Sequence, residues 1–107
     1  MPNALLDFIQ AAIQDLENGR TNAVQLIRDL DGLGQELEAV ESQYVFAPEA
    51  EEELRLALLH SVRLYQHSLD LIRRCLEFPS PGLLERARAA AEEASLHLEE
   101  VEEASQI

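Results

Sequence analysis

The side chains of this chain that could do chemistry are few and lie in its second half: His60, His67 and His97, the lone thiol Cys75, and glutamates around His97. Imidazole is the usual general base near neutral pH and the commonest nitrogen ligand for a transition metal. A zinc-binding helix presents two such ligands one turn apart, at i and i+4. His60 and His67 are two turns apart, about 10 Å along a helix, which is too far for them to share an ion. A di-iron carboxylate bundle needs Glu three residues before an inward-facing His. Those positions hold Ala57, Leu64 and Ala94. Glu93 and Glu100 stand four residues before and three after His97, an arrangement that reads as a solvated charged face and at most a weak surface site.

Cys75 lies beside Leu76 on an apolar segment with no base in sequence reach, so it reads as a small buried hydrophobe and not as an activated thiolate. Asp31-Gly32-Leu33-Gly34 lacks the remaining glycine of a phosphate loop and follows no strand. The sequence therefore predicts no catalytic, cofactor-binding or metal-binding residues, and a protein that is not an enzyme.

Composition narrows the remaining classes. The 107 residues carry 21 acidic groups against eight basic ones, a formal charge of -13. A surface of that sign repels nucleic-acid phosphates and anionic lipid head groups, and it suits either simple solubility or a basic protein partner. The thinnest alternative on charge alone is an acidic inhibitor that mimics DNA. No run approaches the roughly 20 apolar residues needed to cross a bilayer, and Met1-Pro2-Asn3 lacks the basic start of a signal peptide. One cysteine cannot form an internal disulfide. The expected compartment is the cytoplasm.

The elements that would position these groups are helical. Apolar residues, interrupted only by Gly19, recur in alternating steps of four and three at Leu5, Ile9, Ala12, Leu16, Gly19, Ala23, Leu26, Leu30, Leu33, Leu37, Val40 and Tyr44, the spacing of a coiled-coil seam. A second stripe reads Leu54, Leu58, Val62, Tyr65, Leu69, Ile72 and Leu76, widened by Leu59 and Leu64. It follows Pro48, which suits the first position of a helix, and a cluster of glutamates on the positive end of the helix dipole. Pro79, Ser80 and Pro81 break the chain again. A last stripe, Leu84, Ala87, Ala91, Ala94, Leu98 and Val101, follows Ser80 as N-cap, with fraying expected after Val101 because the closing glutamates oppose the dipole.

The expected fold is a single all-α domain over residues 1–107, an antiparallel bundle of three long heptad-patterned helices over about 3–44, 48–78 and 81–104. Asn18-Gly19, with Thr21 as the N-cap of a new helix, supports a competing reading in which the first helix breaks at 18–21 and a four-helix bundle results. The unbroken helix would be about 60 Å long against about 45 Å for its neighbour. The overhang would expose Leu5, Leu6, Phe8 and Ile9, which a second copy of the chain could cover as a homodimer through the N-terminal half of that helix. A break would fold the same residues into their own bundle.

Tyr44, Phe46 and Phe78 lie near the bends. They read as end caps of the core or, together with Leu5, Leu6, Phe8 and Ile9, as anchors for a partner protein. The functional expectation is a non-enzymatic helical interaction module, an adaptor or assembly subunit with a protein partner and no nucleic-acid or membrane ligand. The alternatives are a small acidic chaperone or secretion-associated protein that shields a client's apolar helix and, last, a metal-binding bundle enzyme.

Overall fold

A computed structural model of the chain describes residues 2–45 and 52–105. Among these the backbone forms helices α1 (Pro2–Glu17), α2 (Ala23–Val45), α3 (Glu52–Glu77) and α4 (Pro81–Ser105), with no strand. The protein is an all-α helical bundle with extents of 45 × 21 × 20 Å. None of the helices is long and apolar enough to cross a membrane.

The single helix expected over 3–44 does not form, and the reason is local. Gly19 has φ of +68°, a left-handed conformation that an L side chain rarely adopts. The Arg20 N–H bonds the Asp15 carbonyl at 2.9 Å and the Gly19 N–H bonds the Leu16 carbonyl at 3.3 Å. This pair of contacts is the Schellman closure of a helix C-terminus. The next helix starts with Asn22 as N-cap, whose Oδ1 accepts the Gln25 N–H at 3.2 Å. Thr21, the expected cap, instead leaves its buried hydroxyl without a hydrogen-bond partner. The four-three stripe runs through this turn in phase because Gly19 falls on a seam position, so periodicity alone could not reveal the break.

Folding back at Gly19 buries Ile9 fully and Leu5, Leu6 and Phe8 in part. Ile9 and Ile13 reach zero exposure, and α1 packs on α4 and lightly on α3. The overhang expected of an unbroken first helix is therefore absent. The helix begins at Pro2, whose missing N–H costs nothing at a first helical position. The expected start of α3 at Pro48 lies outside the described residues, and within them Glu52 and Glu53 occupy its first turn.

α3 is the central helix, and its closest packing is on α4. Fully buried Ser61 and Ser68 sit against Ala94 and Ala87, so small side chains meet small side chains and the two backbones approach. The Ser61 hydroxyl donates to the Ala94 carbonyl, and the Ser68 hydroxyl donates to the Ala87 carbonyl at 2.7 Å. One heptad further on, the Cys75 thiol points to the Ser80 carbonyl at 3.8 Å, a weak contact of the same kind. These three rungs, seven residues apart, set the register of the α3–α4 hairpin. Cys75 is buried, as its apolar setting suggested.

Because α3 is covered by α4 on one side and α2 on another, it buries two faces. Val62, Tyr65, Leu69 and Ile72 follow the predicted stripe, while Ser61, Ser68, Leu71 and Cys75 form a second one. On the outside, α2 and α3 are cross-linked by Arg63 with Glu41 at 3.4 Å and by Arg73 with Asp31, and Arg88 ties α4 to Glu17 of α1 at 2.7 Å. Exposed pairs like these contribute at most about 1 kcal/mol each. α4 continues past Val101 to Ser105.

Candidate functional site

The bundle is not closed evenly. α2 packs on α3 and α1 packs on α4, but α1 and α2, although joined by a five-residue turn, make at most slight contact with each other. The seam between them is an open groove of about 680 Å³. One wall is Ala4, Leu5 and Phe8 of α1, and the other is Gly32, Leu33, Leu37 and Val40 of α2. Arg28, Asp29 and Glu36 stand at its rim. A second depression of about 380 Å³ shares Phe8 and Asp29 with the first and continues along Ala11, Ala12 and Asp15 toward the turn at Arg20–Asn22.

Each wall owes its position to the core beneath it. On α1, Ile9, Ala12 and Ile13 point inward, which turns Leu5 and Phe8, one turn apart, to the edge of the buried face. On α2, Leu26, Leu30 and Leu37 take the inward positions and leave Leu33 and Val40 half-buried. A Cβ added at Gly32 would meet nothing within 4 Å. The Gln25 amide donates to Asp29 at 3.0 Å and steadies that carboxylate at the rim. The segment containing both walls, residues 2–45, carries eight carboxylates against two arginines.

Of the residues expected to meet a partner, Leu5 and Phe8 line this groove. Leu6 is half-buried against the core, and Ile9 is wholly inside it, so Ile9 acts as a packing residue in this fold. Phe78 is 75% exposed at the bend after α3, which rules out a role in capping the core. Phe46 and the side chain of Tyr44 lie outside the described residues.

The histidines are arranged differently from what spacing along α3 suggested. His60 meets His97 of α4, ring centroids 4.8 Å apart and planes at 76°, while His67 lies exposed elsewhere on α3. Glu93 approaches His97 Nε2 at 3.7 Å and Glu100 approaches its Nδ1 at 3.8 Å. Tyr65 is a titratable group set in the core. Burial pushes its phenol above the usual range, the nearby Ser95 hydroxyl opposes this, and the negative charge of Glu99 adds to it. The Tyr65 oxygen lies beside Ser95 but outside hydrogen-bond geometry, and it has no other partner.

The fold and groove together define an all-α bundle with one open helix–helix seam. No family model, curated protein or solved structure matches the chain.

Proposed function

We propose that this chain is a four-helix bundle that serves as a non-enzymatic protein–protein interaction module, receiving an amphipathic helix with positive charge in the groove between α1 and α2. The observation that carries the reading is Gly32. A glycine inside a helix costs about 1 kcal/mol relative to alanine, and here no neighbouring atom requires it. A backbone approaching from outside would use that space. The wall from Ala4 to Asp15 is about 17 Å long, room for three turns of a guest helix. Leu5, Phe8, Leu33 and Val40 offer it an apolar strip, in the manner of helix-in-groove recognition.

Charge selects the guest. A second copy would bring another -13 to the contact, whereas a helix flanked by Lys or Arg is drawn in. A fluorescein-labelled peptide with a Leu face and Lys flanks should raise its anisotropy on titration with the protein, and a Glu-flanked version should not. Gly32→Leu and Leu33→Glu should each weaken binding at least tenfold while leaving the helical circular dichroism in place. Equal affinity for both peptides, or indifference to both substitutions, refutes the groove as the site. Sedimentation should give a monomer, and a dimer disrupted by Phe8→Glu would make a second copy the occupant.

A further inference from the structure

We propose that His60, Glu93 and His97 form a binding site for one first-row transition-metal ion, with Zn²⁺ the best match. His60 comes from α3 and the other two stand one turn apart on α4, and one ligating atom from each of the three lies within 4.8 Å of the others. A tetrahedral zinc ion with bonds of about 2.0–2.1 Å holds its ligand atoms roughly 3.3 Å apart. The closure needed is about 0.4 Å for the pair already 3.7 Å apart and at most about 1.5 Å for the others. His60 and Glu93 are exposed and His97 is only half-buried, so side-chain rotation alone can supply it.

The backbone beneath the site is held firmly. Ser61, next to His60, donates its hydroxyl to the carbonyl of Ala94, next to Glu93, so the two helices cannot slide past each other without breaking that bond. The far side of His97 is also prepared. With Nε2 on the ion, Nδ1 faces Glu100 at 3.8 Å, where a carboxylate can accept the Nδ1–H and orient the ring, as outer carboxylates do in zinc sites. Two imidazoles and one carboxylate suit zinc, copper or nickel, whereas magnesium and calcium require shells made of oxygen. The fourth position is left for water. The bound ion would pin α3 to α4, and the site shares no residue with the α1–α2 groove, so the two proposals stand or fall separately.

The test is calorimetric titration of chelator-treated protein with ZnCl₂, alongside thermal melts and Co²⁺ absorption spectra. One ion per chain, a raised Tm and the visible bands of four-coordinate cobalt are expected. His60→Ala and His97→Ala should each weaken zinc binding at least tenfold, Glu100→Gln should weaken it about tenfold, and His67→Ala should leave it unchanged. The altered side chains lie at the surface, so circular dichroism should match the parent protein. Zinc binding that survives His60→Ala unchanged, that magnesium displaces at equal concentration, or that is absent at millimolar zinc overturns the site.

Discussion

Replacing the same residue type by alanine at three positions should move stability in two directions. Gly32 and Gly34 lie inside α2, which runs Ala23–Val45, and a Cβ at either position meets nothing within 4 Å. Gly32→Ala and Gly34→Ala therefore cost nothing in the folded state and recover the helix propensity difference, about 0.8–1.0 kcal/mol each. Nothing packs on either new methyl, so the effects should add to about 2 kcal/mol. For a chain of this size about 1 kcal/mol moves Tm by roughly 4–8 °C, so the double variant should melt about 10 °C higher. At Gly19 the space is equally open, but φ is +68°. There an alanine must adopt the left-handed region, and the chain should lose about 1 kcal/mol. Thermal melts at 222 nm and urea midpoints with unchanged slope measure all three. A uniform sign across the three positions refutes the reasoning, because it would mean that α2 is not continuous through Gly32 or that Gly19 does not close α1. Under the functional proposal, Gly32→Ala should also weaken peptide binding while it stabilises the fold.

Substitutions at two further positions probe the core. Tyr65→Phe removes a buried hydroxyl that has no partner and should stabilise the protein by about 1 kcal/mol. Because burial raises the folded phenol's pKa, the unfolded chain ionises first. The folded state is therefore unaffected by this group below the ordinary phenol pKa of about 10 and loses stability as pH rises from there toward the folded value. Urea midpoints between about pH 8 and 10.5 should fall less steeply in the Phe variant. Ser68→Ala deletes the donor to the Ala87 carbonyl and should cost about 1 kcal/mol. Ser68→Leu, forced against Ala87, should cost about 1–3 kcal/mol or more, with equilibrium unfolding as the readout for both.

Much of the helix map was legible because its punctuation is chemical. Pro81 opens α4, and the stripe from Val62 to Ile72 is the inner face of α3. The break at Gly19 was visible as a turn dipeptide but was countered by an unbroken seam; one backbone angle decided the matter, and periodicity does not encode it. Ser61 and Ser68 were missed because a hydroxyl looks like surface until a facing carbonyl satisfies it, and that carbonyl belongs to another helix. The pairing of His60 with His97 was missed for a related reason. Spacing within α3 does not carry it, because the pair is set by the register across the hairpin. A signal existed, since the two residues lie at nearly equal distances on either side of the Pro79–Ser80 turn. Leu5 and Phe8 were singled out for an overhang that does not form, yet they line the groove because the fold-back leaves their edge of α1 uncovered.

The serine and cysteine rungs also bear on the order in which the molecule assembles. α3 and α4 are joined by a three-residue turn and hold each other through neighbours close in sequence, so their hairpin closes a short loop. α1 must find α4 across most of the chain, as the contact of Glu17 with Arg88, 71 positions away, illustrates. Local contacts form early and distant ones late. Changes at Ser68 should therefore alter mainly the rate of folding and changes on α1 mainly the rate of unfolding, which stopped-flow refolding and unfolding would read. On that order α1, one wall of the groove, should dock last. A guest that bridges α1 to α2 would act as a kinetic latch, lengthening the lifetime of the folded molecule by holding together two helices that make at most slight contact on their own.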